Sequence, residues 1–215
     1  MKALAFVHGW GTAPWVWDPL AERLPQACLV RLPGHAGCAM RAPGADAWSE
    51  AILEQLPPAP VVAVGWSLGG MLLVHAAIRA PSRFAALVLV GAAARFVRAA
   101  DWLEGADPDV IARLRAMPNA QAMLRAFYRW CAPNEAKEWL ARMRAETPSK
   151  EALAAGLQLL ATLDLRDALS SLDLDTFWIV GRRDRVLSWR AAAASAVLAR
   201  RFRFASIADA GHAPM

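Results

Sequence analysis

The 215-residue sequence predicts an α/β fold, with a mostly parallel sheet flanked by helices and an inserted block of helices. Short apolar runs typical of buried strands alternate with helical segments, which is the pattern of βαβ units. No convincing strand falls between residues 93 and 167, where several helices are expected instead. We therefore predict a core formed by residues 1–92 and 168–215, and a helical cap formed by residues 93–167.

The predicted core elements follow one another in a regular order. Apolar runs bounded by turn residues predict six buried strands, at residues 2–7, 28–32, 61–64, 85–90, 175–180 and 203–207. Helical spacing of apolar residues predicts four helices between them, at residues 14–24, 46–56, 71–80 and 189–200. Asp46 is the expected N-cap of the second helix. Parallel sheets place their ligand sites at the carboxyl ends of the strands.

The cap helices are predicted from residues that favour helix starts. A short polar side chain can accept a hydrogen bond from the free N–H groups of a first turn. Four such starts are expected, at Asp107 before Pro108, Asn119, Asn134 with Glu135, and Ser149 with Glu151. The aromatic residues among these helices are expected mainly to pack the cap, with one or two of them lining a pocket.

Composition narrows the setting in which the protein works. No uninterrupted apolar run approaches a membrane span, and the N-terminal apolar stretch is too short for a signal peptide. Cys28, Cys38 and Cys131 lack metal-ligand spacing and cannot all pair, so we expect free thiols in a reducing cytoplasm. We expect no metal, no cofactor and no membrane partner.

The net charge of +5 is concentrated in the predicted cap. Residues 111–150 contain eight basic and three acidic side chains, a balance of +5 that equals the charge of the whole chain. A concentrated positive face favours an anionic partner, although a solvated helix face explains a charge run equally simply. No basic–aromatic repeat or nucleic-acid motif accompanies it, so we expect no nucleic-acid partner.

A strand, a sharp turn with a central serine, and a helix meet at residues 61–80. The turn is Gly65-Trp66-Ser67-Leu68-Gly69, a Gly-x-Ser-x-Gly pentapeptide in the context of a nucleophile elbow. The tight turn predicts a strained Ser67, with glycines where a Cβ would crowd the strand against the helix. A passive serine in a glycine-rich turn is the alternative interpretation.

Two further side chains complete a predicted catalytic triad. A serine hydroxyl is a weak nucleophile unless a base takes its proton, and His212 alone among the histidines follows the last predicted strand. Asp184, after the preceding strand, is the expected acid that orients His212, and the order Ser, Asp, His is that of this architecture. Four other acids compete for this role: Asp164, Asp173, Asp175 and Asp209.

The remaining histidines are expected to be structural. His8 closes the first strand and is expected to hydrogen-bond its loop, His35 lies in a loop that resembles a surface loop, and His75 lies within the elbow helix. The loop after the first strand supplies one oxyanion-hole N–H in this architecture, and the residue after the nucleophile supplies the other. We therefore assign the backbone amides of Trp10 and Leu68 to the hole.

Several motifs together resemble those of a known family. They are, in chain order, His8-Gly9-Trp10-Gly11, Leu32-Pro33-Gly34-His35, Gly65-Trp66-Ser67-Leu68-Gly69-Gly70, Asp164-Leu165-Arg166 followed by Leu169, and Gly211-His212-Ala213-Pro214. The sequence resembles the pimeloyl-acyl carrier protein methyl ester carboxylesterases of bacterial biotin synthesis, members of the α/β-hydrolase superfamily. The likeness runs over most of the chain.

The resemblance implies a serine carboxylesterase that hydrolyses the methyl ester of a pimeloyl chain on acyl carrier protein. It carries over the triad Ser67, Asp184 and His212, and the hole residues Trp10 and Leu68. It also implies a substrate-lining segment in the cap, formed by Phe127, Tyr128, Arg129, Trp130 and Cys131. The family grips its acidic carrier with cap arginines, for which this sequence offers Arg125, Arg129, Arg142 and Arg144. We expect a monomer.

The sequence departs from the family pattern in two places, and two alternative functions stay open. The leading strands usual in this fold are expected to be shortened or absent, and only three residues follow His212 where the family continues into a closing helix, so the histidine loop is expected to fray. A broad short-chain esterase or lactonase would use the same triad. A protein of another class, an inactive hydrolase-like binding protein, would result if the histidine loop were loose.

Overall fold

The computed structural model describes residues 2–215, and it confirms the predicted α/β fold. Six strands form one sheet in the order β2-β1-β3-β4-β5-β6, and every neighbouring pair is parallel. The strands are β1 (Ala3–Val7), β2 (Cys28–Val30), β3 (Val61–Trp66), β4 (Phe84–Val90), β5 (Thr176–Gly181) and β6 (Phe202–Ile207).

Nine α-helices accompany these strands within residues 2–215. They are α1 (Asp18–Ala21), α2 (Ala45–Gln55), α3 (Leu68–Arg79), α4 (Asp109–Arg115), α5 (Ala120–Cys131), α6 (Ala136–Met143), α7 (Lys150–Thr162), α8 (Arg166–Ser171) and α9 (Trp189–Ala196). Two short 3₁₀ turns lie at Pro14–Trp17 and Pro81–Arg83. No helix among these residues is both long and apolar enough to cross a membrane.

The order of the strands fixes where a site can form. The chain passes from β1 outward to β2 and then returns to β3 on the other side of β1. The chain leaves β1 towards β2 and leaves β3 towards β4, in opposite directions along the sheet. This divergence leaves a crevice at the carboxyl ends of β1 and β3. The loop that begins at His8 and the turn at Ser67 both start at this crevice.

Two expectations about the core helices are wrong. The helix predicted over 14–24 is a 3₁₀ turn followed by the single turn α1, because Pro19 lacks the N–H that would bond to the carbonyl of Trp15. Helix α2 is capped by Gly44, whose φ is 141°, while Asp46 lies in its first turn and pairs with Arg79.

Helix α6 begins at Ala136 with Glu135 in the N-cap position, at the expected start, but neither Asn134 nor Glu135 caps it with its side chain. Two other predicted caps are confirmed, since the side chain of Asn119 accepts from the amide of Ala122 and that of Ser149 accepts from Ala152. At the remaining start, Asp107 accepts from the amide of Asp109, the first residue of α4.

Four of these helices, α4 to α7, lie between β4 and β5 along the chain, inside the predicted cap segment. The two ends of that segment meet at an ionic cluster. Arg95 bonds to Asp164 at 2.8 Å, and Arg166 bonds to Asp164 at 2.7 Å and to Asp101 at 2.9 Å. The bond from Arg166 lowers the pKa of Asp164 to about 2. The predicted boundary at residue 167 falls inside α8, so the cap limits of 93–167 stay a prediction.

Candidate active site

The backbone at Ser67 has the strain that the sequence predicts. Its φ is 54° and its ψ is −122°, a conformation that costs a residue with a side chain of order 1–3 kcal/mol. A Cβ on Gly69 would lie 2.3 Å from the carbonyl oxygen of His8, and one on Gly65 would lie 2.7 Å from the Cα of Gly70. Only glycine fits at both places, and the turn therefore holds the Ser67 hydroxyl at the N-terminus of α3.

Ser67, His212 and Asp184 form one line of hydrogen bonds. The Nε2 atom of His212 lies 3.0 Å from Ser67 Oγ, and its Nδ1 atom lies 2.7 Å from Asp184 Oδ2. The side chains of His212 and Asp184 are 0% and 2% exposed, and Ser67 is 4% exposed. This arrangement lets the imidazole take a proton from the serine while the carboxylate stabilises the resulting charge.

The carboxylate of Asp184 is itself held in place. Its Oδ1 atom accepts hydrogen bonds from the amides of Val186 at 2.7 Å and Leu187 at 2.9 Å, which leaves Oδ2 for the histidine. The competing acids are engaged elsewhere, because Asp209 pairs with Arg183, Asp164 pairs with arginines of the ionic cluster, and Asp173 and Asp175 face Arg201.

No pattern in the sequence indicates the role of Trp66 beside Ser67. Its indole Nε1 donates to the carbonyl of His212 at 2.8 Å, and its ring centroid lies 5.5 Å from that of the imidazole. The indole is fully buried. This hydrogen bond holds the loop that contains His212 against the end of β3. That loop is the segment in which the sequence predicts fraying.

The two amides assigned to the oxyanion hole have no partner among residues 2–215. Neither Trp10 N–H nor Leu68 N–H donates to another residue within the range 2–215. Leu68 is the first residue of α3, where N–H groups lack partners inside the helix and the helix dipole favours negative charge.

The direction of the Trp10 amide is fixed by its own peptide group. The carbonyl of Gly9 accepts from Thr12 Oγ1 at 3.0 Å and from His8 Nδ1 at 2.9 Å. Because the N–H and C=O of a trans peptide point in opposite directions, these two bonds direct the N–H of Trp10 away from them. His8 Nε2 accepts from the amide of Leu32 at 3.1 Å, so the ring is a neutral tautomer with its proton on Nδ1.

The next residue of this loop, Gly11, is held at both of its polar groups. Its N–H donates to His35 Nε2 at 3.3 Å, and its carbonyl accepts from the Tyr128 hydroxyl at 2.5 Å. Burial raises the pKa of that hydroxyl above its ordinary value, so it stays a donor. The expectation that His35 lies in a surface-like loop is wrong, because the ring is fully buried and its Nδ1 donates to the carbonyl of Pro33 at 2.9 Å.

Both loop histidines stay neutral over a wide pH range. Burial, together with the neighbouring His35, lowers the pKa of His8 to about 3. Burial lowers the pKa of His35 to about 4. The hydrogen bonds that each ring makes require one protonated and one free nitrogen, which is the neutral form.

The predicted substrate-lining segment divides between two sides of α5. Phe127 is buried, with its ring centroid 4.9 Å from that of Trp10 and 6.5 Å from that of His212. Tyr128 and Cys131 are also buried, and burial together with Asp184 raises the pKa of the Cys131 thiol. Arg129 is exposed and Trp130 is half-buried. Of the aromatic rings in this segment, that of Phe127 is the one paired with the imidazole.

The four predicted docking arginines do not share one surface. Arg125 and Arg129 of α5 line a groove of about 330 Å³ together with Lys137 and Arg144 from α6 and the turn after it. We call these four residues the basic groove, and none of them pairs with a carboxylate among the residues that the structure describes. Arg142 lies on another face of α6, where it pairs with Asp18 and stacks on Trp15.

Comparison with known proteins gives the class and the relatives of this chain. The sequence profile described as the alpha/beta hydrolase family matches residues 4–215. Among solved structures, an esterase from Exiguobacterium antarcticum has a TM-score of 0.85 at 20% identity, covering 99% of this chain and 85% of its own. A bromoperoxidase from Bacillus anthracis has a TM-score of 0.86 at 19% identity over the same shares. The chain belongs to the alpha/beta hydrolase family.

Two relatives confirm the narrower resemblance read from the motifs. The pimeloyl-[acyl-carrier protein] methyl ester esterase of Aromatoleum aromaticum is 37% identical over 98% of this chain and 91% of its own length. The protein of the same name from Stenotrophomonas maltophilia is 35% identical over 98% of this chain and 86% of its own. The predicted enzyme class, a carboxylic ester hydrolase, is confirmed with them.

We predict that the buried histidines make folding stability fall as the pH is lowered. The pKa of His35 is about 4 in the folded protein and 6.5 ordinarily, so between these values only the unfolded chain binds the proton. The contribution is complete above pH 6.5 and is lost as the pH falls towards 4. His35→Gln supplies one donor and one acceptor that do not titrate, and it should reduce the slope of unfolding free energy against pH by up to about 1.4 kcal/mol per unit.

Urea unfolding of both proteins at several values between about pH 7 and pH 4.5 measures this slope. Normalising each protein to its own value near pH 7 removes any loss caused by the substitution itself. Equal slopes for the two proteins would show that His35 takes up its proton in the folded state as well.

Proposed function

We propose that this protein hydrolyses the methyl ester of a pimeloyl chain carried on acyl carrier protein, with Ser67 as nucleophile. The observation that carries the proposal is the buried line of hydrogen bonds from Asp184 through His212 to Ser67, beside two free amides. The names of the relatives supply the substrate, which the geometry of the triad alone does not specify.

The reaction proceeds through an acyl-enzyme. Ser67 Oγ attacks the ester carbonyl carbon as His212 Nε2 takes its proton, and the oxyanion accepts hydrogen bonds from the amides of Trp10 and Leu68. The imidazolium then gives its proton to the departing methoxy oxygen, and methanol leaves. A water molecule, deprotonated by His212, attacks the acyl carbon and releases the carboxylate from Ser67.

The basic groove supports docking of an acidic carrier. Arg125 and Arg129 lie one helical turn apart on the outer side of α5, and Lys137 and Arg144 face them across the groove. Unpaired cations on an exposed rim raise the rate at which an oppositely charged partner associates. We leave Arg142 out of this docking surface because Asp18 already neutralises it.

The proposal also covers the cellular compartment and the oligomeric state. The three cysteines are free thiols, which fits a protein of the reducing cytoplasm. We propose that it acts there as a monomer, with the carrier as its partner.

The first test is hydrolysis of the carrier-bound methyl ester by the purified protein, followed by release of methanol. Ser67→Ala should lower kcat by about ten-thousandfold or more, because no other group replaces the nucleophile. Ser170→Ala is the matched control, since that exposed hydroxyl bonds only to Asp167 of its own helix. Hydrolysis of short free esters without the carrier-bound ester would indicate a broad esterase, and no hydrolysis of any ester would indicate a binding protein.

The second test separates carrier docking from ester chemistry. Arg125→Glu with Arg129→Glu should lower kcat/KM for the carrier-bound ester by about tenfold or more, with free methyl esters unaffected. Arg23→Glu with Arg200→Glu changes the net charge equally at two exposed arginines that lie outside the basic groove. Equal effects of the two double variants, or a matching loss on free esters, would contradict docking at the basic groove.

A further inference from the structure

A hollow of about 510 Å³ lies between α4, α5 and α7, apart from both the triad and the basic groove. We call it the α7 hollow, and we define it by Arg115, Met117, Met123, Lys150, Leu153 and Leu157. It combines apolar side chains with two cations, Arg115 and Lys150, neither of which pairs with a carboxylate within residues 2–215. Arg115 instead donates to the Gln158 amide oxygen at 2.8 Å. Such a surface suits a ligand that is partly apolar and partly anionic.

One wall of the α7 hollow also contacts the candidate active site. The carbonyl of Leu153 accepts from Trp10 Nε1 at 2.9 Å. A Cβ on Gly156 would lie 2.4 Å from Trp10 Cδ1 and 3.4 Å from Leu68 Cδ2. The turn of α7 from Leu153 to Leu157 therefore separates the hollow from the two residues whose amides we assign to the oxyanion hole.

Two other hollows border the site, and both contain carboxylates. One, of about 170 Å³ beside Trp139, contains Glu135, Glu138 and a single cation, Arg142. The other, of about 370 Å³ beside Cys131, contains Glu135 and Asp209 together with Arg183 and Arg185, so its charges balance. No carboxylate lines the α7 hollow. An anionic group is therefore best accommodated at the α7 hollow.

We propose that the α7 hollow receives the acyl chain together with the phosphate-bearing, amide-containing arm that links such chains to a carrier protein. The proposal rests on the proposed function and adds the path by which the ester reaches Ser67. Apolar residues contact the methylene groups, while Arg115 and Lys150 bind the phosphate at the mouth.

The position of α5 makes this path compatible with the basic groove. Met123 lines the α7 hollow, and Arg125 and Arg129 lie only about 3 and 9 Å further along the same helix axis. Arg125 and Arg129 lie about 160° and 120° from Met123 around the helix, so the linking arm of a carrier seated on the basic groove passes round α5 to reach the mouth of the hollow. Since Ser67 is nearly buried, the side chains of Leu124 and Leu153, which lie over Gly11, turn aside as the chain enters.

Filling the hollow tests the path. Ala154 is an exposed residue of its lining, and Ala154→Trp should lower kcat/KM by about tenfold or more for the pimeloyl methyl ester on phosphopantetheine and on the carrier. The matched control is Ala112→Trp, on an exposed position of α4 outside the lining. Equal kcat/KM for the two variants would overturn the proposal.

Neutralising the cations tests the ligand class. Wild-type protein should have a lower KM for the phosphopantetheine-linked ester than for the pantetheine-linked ester, which lacks the phosphate. Arg115→Gln with Lys150→Gln should raise KM for the phosphopantetheine-linked ester about tenfold and so remove that preference, because the phosphate then loses both of its cationic partners. A preference that survives the double variant would overturn the assignment of the phosphate to this mouth.

The two proposals fail in different ways. If the proposed function is wrong, the wild-type protein releases no methanol from the carrier-bound ester. If only the entry path is wrong, wild-type protein and Ala154→Trp release methanol from it with the same kcat/KM.

Discussion

The hydrogen-bond line through His212 is the interaction on which the account of this protein depends. Its three members come from the carboxyl ends of β3, β5 and β6, and the parallel sheet brings these ends to one edge. The line is buried, so its hydrogen bonds and charge are not weakened by competing water. The neighbouring elements direct each member, with backbone strain at Ser67, two amides on Asp184, and the Trp66 indole on the histidine loop.

A second set of buried polar groups holds the loop after β1, opposite Ser67, in one conformation. His8 and Thr12 bind the carbonyl of Gly9, while His35 and Tyr128 bind the two polar groups of Gly11. A buried polar group that loses its partner costs about 1–3 kcal/mol, so these bonds strongly favour one loop conformation. The Trp10 amide is thereby held in one direction, as the proposed oxyanion hole requires of a donor that does not reorganise during the reaction.

Much of the sheet, and the strand ends that carry Ser67, Asp184 and His212, can be predicted from sequence, because the strands and the elbow are local patterns. Apolar runs and glycine turns define the strands, and the elbow pentapeptide is contiguous around Ser67. The support for the loop after β1 could not be predicted in this way. His35 is 24 residues from the amide it binds and Tyr128 is 117 residues from the carbonyl it binds, so neither spacing carries a periodic signal.

The arginines predicted to dock the carrier show the same limit of sequence-based prediction. Sequence places Arg125, Arg129, Arg142 and Arg144 in one basic segment, yet Arg142 lies on a different face of α6 and meets Asp18 from 124 residues away. Charge counts identify a segment, whereas the face that each residue takes depends on the helix phase and on the partners met in the fold.

Labelling with an alkyl fluorophosphonate tests the central claim most directly, because only an activated serine displaces fluoride from phosphorus rapidly. The account predicts one label per chain, found by mass spectrometry on the peptide that contains Ser67, and slow labelling of the His212→Ala variant. A folded wild-type protein whose Ser67 stays unlabelled, or a stoichiometric label on another residue, would contradict it.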